Sequence, residues 1–330
     1  MSYKLSRSIN WLPLTVGLVA ASFTHAQTWQ PSKPVEYYVN AGAGGAVDIV
    51  ARKIKELMER DKIVNQQLMV SNRIGGGGTV AINGLLSHPG DGHYLAAFIT
   101  GMLNTRAIGE APVSYASVTP IAVFLEESLV VAVRADSPLK TGWDLITKLR
   151  ASSNSLSIGI ADQLGNHIHV AIAKPLKAGG VDVANLNVVP YRSSAESMVA
   201  LLGGHLDLIS ASAPNVVTQF QAGKIRLLAV ANPERLGGAL ASVPTWKEQG
   251  VDATFTSVQG VLGPRDMSPE QIRYWELAFE RLSKSEAWKQ FLASIYARPT
   301  YQNAADMTKY LQVNYDLTSA LLQELNLVKK

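Results

Sequence analysis

Apolar, β-branched runs that end in glycine-rich turns recur along the first two-thirds of the chain. Each is followed by a segment whose apolar residues fall three and four apart. "VEYYVNA" reads as a strand, and the segment after its "GAGG" turn puts Val47, Val50, Ile54, Leu57 and Met58 on one helical face. "QLMVSN" is a second strand, and "RIGGGGTVAINGLLSH" a second glycine turn feeding a helix. "HPGDGHYLAAFIT" is a turn and a third strand. Strand, turn and helix repeated in this order predict parallel sheets covered by helices.

"VFLEESLVVAVRADSPL" (Val123–Leu139) reads as one long strand leaving this first unit, and "TGWDLITKLRAS" as a helix with Thr141 at its N-cap. The strand, loop and helix plan then repeats in "SLSIGIADQLGNHIHVAIAKPL", "LNVVPYRSSAESMVALLGGHLDLISAS" and "IRLLAVANPERL". "ATFTSVQGVLGP" leads back to the first unit, and the rest reads as helices only. "SPEQIRYWELAFERL" has Ser268 as cap, Pro269 at the first helical position and Gln271 at the third. The plan is α/β in two lobes, with crossings near Glu126 and Val258. Residues 27–126 with 257–330 form lobe 1, and 127–256 form lobe 2. A ligand of such a protein sits in the crevice between lobes, at the carboxyl ends of the strands.

The N-terminus stands apart. Lys4 and Arg7 precede the apolar stretch Trp11–Phe23, and "THA" offers small residues before Gln27. Residues 1–26 therefore read as a secretory signal peptide cleaved after Ala26. Without Lys4 and Arg7, the 30 Lys and Arg fall to 28 against 26 Asp and Glu, a balance of +2 that does not argue for nucleic acid. Composition, 47% hydrophobic and 17% charged, is that of a globular protein with a sizeable core. There is no cysteine, so neither a disulfide framework nor a lipid-bearing cysteine follows the signal. A free periplasmic protein fits.

Three chemistries suit a glycine turn at a helix start. "GAGGAV" fits the dinucleotide fingerprint poorly: Val47 stands where its last glycine should be, and the second strand ends in Ser71 and Asn72 with no acidic residue. No G-x-S-x-G elbow and no H-E-x-x-H helix is present, so no catalytic residue, metal or cofactor is assigned. His167 and His169 are two apart, on different sides of a helix, and His169 reads as a packing or capping residue. The remaining chemistry is anion binding by backbone N–H groups at a helix start, which needs no basic side chain. The turns Gly42–Gly45 and Gly75–Gly78 could bracket one carboxylate.

At this point the chain resembles the Bug-type solute receptors, the periplasmic binding proteins of the tripartite tricarboxylate transporter family. "KPVEYYVNAGAGGAVDIVAR" is similar to the family's opening strand and G-G-x-x-D-x-x-A-R turn, and "NRIGGGGTVAINGL" to its N-x-x-G-A-G-G turn. "PGDGHYLA", "GNHIHVA", "VPYRSSAESMVALLGGHLDL" and "GKIRLLAVANPERLGGALASVPTWKEQG" follow in family order. The resemblance implies a type II-like periplasmic binding protein, not an enzyme. It would close over a small carboxylate and, as a monomer, pass it to inner-membrane transporter subunits. The ligand-binding candidates it implies in lobe 1 are Gly42, Ala43, Gly44, Gly45, Asp48, Gly76, Gly77, Thr100 and Gly101. In lobe 2 they are Ala161, Asp162, Asn166, Arg192, Ser210 and Ser212. Asp48 reads rather as the residue that fixes the first turn, because its charge suits a helix start and repels a carboxylate.

The chain departs from the pattern at "NAGAGG", where the family has larger residues and prolines, and at Asp162, where it has small ones. An Asp162 facing the cleft would favour a ligand with an amide or amino group. A receptor for such a ligand is the alternative these departures leave; a sensor subunit feeding a signalling partner is the alternative from another class, since it would use the same closed lobe surface.

Overall fold

The computed structural model describes Met1 and residues 29–109, 115–161 and 163–328. The signal segment before Gln27, Met1 apart, and Asp162 lie outside the described residues. The chain order is β1 (Val35–Val39), α1 (Ala46–Arg60), β2 (Leu68–Asn72), α2 (Thr79–Leu86), β3 (Tyr94–Ile99), α3 (Gly101–Ala107) and β4 (Thr119–Glu127). The second unit follows as β5 (Leu129–Arg134), α4 (Gly142–Ala151), β6 (Ser157–Ala161), α5 (His167–Ala178), β7 (Asn187–Tyr191), α6 (Ser194–Leu202), β8 (Leu208–Ser212), α7 (Val217–Gln221) and β9 (Ile225–Val230). The chain then returns through β10 (Ser257–Gly263), α8 (Pro269–Lys284), α9 (Glu286–Ser294), β11 (Arg298–Gln302) and α10 (Ala304–Glu324).

Two sheets result, ordered β11-β4-β10-β3-β1-β2 and β7-β6-β8-β5-β9. Both are mixed rather than parallel. β1 runs parallel to β2 and β3, but β10 runs antiparallel to β3 and β4. In the second sheet β6 is parallel to β7 and β8, while β5 is antiparallel to β8 and β9. The antiparallel strands are those next to the crossings. A strand that enters a sheet straight from its neighbour lobe has no helix to carry it back to the same end.

Two sequence expectations need correction. The run Val123–Leu139 is not one strand: it breaks at Ser128, and its halves join different sheets. The C-terminal third is not all helix, because β11 adds an edge strand beside β4. Pro299 suits that place, where a strand need donate to one side only.

Each sheet carries its own core. Val35, Tyr37, Val39, Ile54, Leu57, Phe124, Trp275, Phe279 and Trp288 fill one face of the first. Leu129, Val131, Ile158, Ile160, Ile172, Leu176 and Trp246 fill one face of the second. α10 belongs to both: Met307 and Leu311 pack in the first lobe, while Leu322 and Leu325 pack in the second.

Candidate functional site

The carboxyl ends of the parallel strands of both sheets meet. In lobe 1 three turns come together there. Asp48, on the first turn of α1, is the tie between the first two. Its Oδ2 accepts from the Gly44 N–H at 2.9 Å and from Arg52 Nε at 2.9 Å. Its Oδ1 accepts from Asn72 Nδ2 at 2.8 Å, and the same amide group donates to the Ala41 carbonyl at 2.8 Å. Burial works to raise the Asp48 carboxyl, but Arg52, the Gly44 N–H and Asn72 outweigh it and hold it below the usual carboxylate range. The side chain is 1% exposed and fully engaged, so it shapes the turn. Gly42, Ala43 and Gly44 lie exposed at the surface of that turn.

The second turn passes through four glycines, Gly75–Gly78, all at positive φ. Gly78 is the crowded one: a Cβ there would lie 2.7 Å from Met102 Cε on α3. The third turn, at Thr100 and Gly101, is pinned to the second crossing. Thr100 Oγ1 accepts from the Val258 N–H at 2.8 Å and lies 3.2 Å from the Tyr310 hydroxyl.

The helices differ in how they begin. α4, α5, α6, α8, α9 and α10 each start on a side-chain cap: Thr141, Asn166, Ser193, Ser268, Ser285 and Asn303. α1 and α2 start on Gly45 and Gly78, and no side chain caps either. At α2 the glycine turn takes the first N–H groups, Thr79 on the Gly76 carbonyl and Val80 on the Gly75 carbonyl, whereas those of α1 are left for something else.

Lobe 2 contributes the loop between β6 and α5. Asn166 Oδ1 accepts from the N–H groups of Ile168 and His169 at 3.0 Å, and its Nδ2 donates to the Ala161 carbonyl at 2.6 Å. His169 Nδ1 accepts from the Gly165 N–H at 3.0 Å, which requires that nitrogen unprotonated. Burial pushes the His169 ring down to about 4, so it stays neutral. Ser210 spends its hydroxyl on the Ile168 carbonyl at 3.0 Å. Ser212 donates to Glu127 Oε1.

The two sets touch. Asn104 on α3 donates to the Gly165 carbonyl, and the His167 ring lies against Gly101. Of the sequence candidates, Gly42–Gly45, Asp48, Gly76, Gly77, Thr100, Gly101, Ala161, Asn166, Ser210 and Ser212 gather at these facing ends. Arg192 follows β7 at the same end, since Tyr191 is the register partner of Ala161, but its side chain is 90% exposed and pairs with Glu196 at 2.9 Å. Sequence reasoning missed Glu127 and His167, buried where the lobes meet. The available signal was an acidic pair, Glu126–Glu127, inside an otherwise apolar run.

A cavity of about 530 Å³ lies elsewhere, lined by Arg134, Leu139, Asp144, Lys148, Leu156 and Asp207. Leu156 and Asp207 precede β6 and β8, so it opens at the far end of those strands from Ala161 and Ser212. Among the described residues no group of histidine and acidic side chains could hold a metal ion, and no helix is long and apolar enough to cross a membrane.

Comparison with known proteins agrees with this geometry. A protein of Cupriavidus necator described as "UPF0065 protein in gbd 5'region" is 28% identical over 302 residues, covering 91% of this chain and 89% of its own. The fold matches a structure of R. palustris Rpa4515 with adipate, at a TM-score of 0.79 and 24% identity over 90% of this chain and 98% of that one. It also matches Rhodopseudomonas palustris MatC (Rpa3494) with bound malate, at a TM-score of 0.76 and 22% identity over 88% and 99%. The family model "Tripartite tricarboxylate transporter family receptor" matches residues 50–327. The chain is therefore a solute-binding protein, not an enzyme, and belongs to the receptors of the tripartite tricarboxylate transporter family.

Proposed function

We propose that this receptor works in the periplasm, after loss of residues 1–26, and captures a small carboxylate between its lobes for delivery to membrane transporter subunits. The observation that carries this reading is that α1 and α2 start uncapped behind glycine turns; α7 also starts uncapped, but it has five residues. The long helices of lobe 2 and of the C-terminal region begin on a side-chain oxygen, whereas α1 and α2, behind the glycine turns, begin on none. The uncapped, positive end of α1 then favours an anion over the Gly42–Gly45 turn, with the Gly76–Gly77 turn beside it. Asp48 holds the first turn, Thr100 the third, and Asn166 the facing loop. The relatives of known structure named with adipate and malate support a carboxylate as the class.

The energetics are sufficient. Micromolar affinity requires roughly 8 kcal/mol. Hydrogen bonds to a charged acceptor contribute ~1.5–3 kcal/mol each, so a few backbone donors supply much of it. Because each lobe holds part of the site, the bound solute favours the closed arrangement.

A thermal-shift screen of residues 27–330 tests the reading, with mono-, di- and tricarboxylates, aromatic acids and the corresponding amides. An acid at a hundred times its dissociation constant adds about 2.7 kcal/mol of stability. A shift with an acid and none with its amide is expected. A shift with amides or amines alone would overturn the carboxylate assignment.

A further inference from the structure

Arg73 and Ile74 follow β2 directly and carry the chain alongside the first turn. The Arg73 N–H donates to the Val39 carbonyl at 2.7 Å, and Asn72 Nδ2 to the Ala41 carbonyl at 2.8 Å, so the second turn is laid against the first. Ile74 is thereby set at the edge of that first turn: a Cβ on Gly42 would lie 3.9 Å from its Cδ1. Yet Ile74 is 63% exposed. The turn beside it, Gly42–Gly45, carries no side chain larger than the Ala43 methyl, and a Cβ on Gly44 would meet nothing within 4 Å. Open space therefore adjoins both the isoleucine and the uncapped start of α1.

Two more apolar side chains stand exposed on the turns of the cleft. Val80, in the first turn of α2, has its Cγ2 3.1 Å from where a Gly75 Cβ would lie, so it borders the same turn as Ile74. Leu164 is exposed in the facing loop of lobe 2, between Ala161 and Asn166. One exposed apolar side chain is ordinary. Three on the turns that bracket an anion position make a surface that gains by being covered. The arginines at these strand ends are committed. Arg52 is bonded to Asp48, and Arg192 to Glu196. Arg73 lies over the Tyr38 ring at 4.9 Å, and Tyr38 packs under α2, on the opposite face of β1 from Tyr37 and α1. A second or third carboxylate taken into a closed cleft needs a counter-charge, which these arginines, so placed, do not bring to the first turn.

We infer that the solute is a monocarboxylate with an apolar body, an alkyl chain or an aromatic ring, and that Ile74 sets this preference by packing against that body while the carboxylate lies over the Gly42–Gly45 turn. This rests on the carboxylate reading of the cleft and narrows it. Leu164, on the loop of the opposite lobe, covers the same body from the other side when the lobes close. The methyl side chains of Ala41 and Ala43 leave the room that a branched or ring-shaped body needs.

Calorimetric titration of residues 27–330 with butanoate, pentanoate, hexanoate, benzoate, adipate and malate tests this. Affinity should rise about fourfold for each methylene from butanoate to hexanoate. Hexanoate should also bind more tightly than malate and than adipate, which has the same chain length and a second carboxylate in place of the methyl. Ile74→Ser, at an exposed turn position, should weaken hexanoate about fivefold to tenfold and butanoate less than about twofold. Should Ile74→Ser fail to fold, Ile74→Val and the wild-type acid series carry the test. An equal loss along the series would mean that Ile74 meets only the closing lobe, and overturns the proposal. So does adipate or malate binding more tightly than hexanoate, or hexanoate binding Ile74→Ser within about twofold of wild type. In each of these cases acids still bind and the receptor reading stands. Hexanamide checks that reading: if it binds as well as hexanoate, or if no acid binds, the carboxylate reading falls and this proposal with it.

Discussion

Asp48→Ala separates a residue that shapes the site from one that touches ligand. The wild-type carboxylate takes three hydrogen bonds, from the Gly44 N–H, Arg52 Nε and Asn72 Nδ2. Bonds to an ionised, buried acceptor are worth about 1.5–3 kcal/mol each. The full sum does not apply, because the partners recover part of the loss. Arg52 is half exposed and returns to water, and Asn72 keeps the Ala41 carbonyl. The expected cost is therefore about 2–4 kcal/mol at pH 7, read by urea denaturation. The pH dependence has a definite sign. A carboxyl held below its unfolded value, near 4, stabilises fully above that value, and the contribution fades as pH falls through the folded one. The gap between wild type and Asp48→Ala should thus narrow below about pH 4. Asn72→Ala in the same background should cost about 1 kcal/mol less than in wild type, since the two share a bond. A loss under about 1 kcal/mol at pH 7, or a gap unchanged in acid, would refute the claim that Asp48 works as an ionised anchor.

The remaining expectations concern single features. His169, held neutral by burial with its ring near 4 against 6.5, lets the unfolded chain bind more protons between those values; stability should fall by about 3 kcal/mol from pH 6.5 to 4, and His169→Gln should flatten that limb in denaturation series. Gly44 has φ +78° and a Cβ there meets nothing within 4 Å, so Gly44→Val should fold at a cost of about 1–2 kcal/mol in backbone strain and lose solute binding by calorimetry. Gly78→Ala should instead cost stability first, because its Cβ would collide with Met102. Ser268→Ala removes the cap of α8 far from the cleft and should cost about 1 kcal/mol with affinity unchanged.

Much of lobe 1 was legible because its signals are local. A glycine turn after an apolar run marks a strand end and a helix start together, and such turns place Gly42–Gly45 and Gly75–Gly78 without knowledge of tertiary structure. Ser268, Pro269 and Gln271 likewise announce α8 through a capping box that the structure contains. What stayed hidden depends on partners distant in sequence. Apolar periodicity does not say which sheet a strand joins, so the break at Ser128 was read through. β11 is short, carries Pro299 and earns its place only by pairing with β4. Arg192 sits in a readable segment, but its orientation is decided by Glu196, four residues on, which draws it to the surface. Glu127 and His167 are forty residues apart and meet only because β4 ends where α5 begins.

The route by which the lobes are joined constrains how they could close. Two strand crossings, at Ser128 and just before Ser257, lie side by side because Glu127 and Ser257 are register partners. Two adjacent extended links make a hinge, since each absorbs rotation through a few backbone dihedrals. α10 adds a third connection of a different kind. Its 21 residues span about 31 Å, with Met307 and Leu311 in one core and Leu322 and Leu325 in the other. A packed helix does not stretch, so closure about the strand hinge must either pivot α10 on one core or slide it against the other. The second contact is the smaller to disturb: Leu322 meets lobe 2 beside Gly165, in the loop that Asn166 and His169 hold in shape. That loop also presents His167 to Gly101. A change at the cleft and a shift of the end of α10 therefore act on the same few residues.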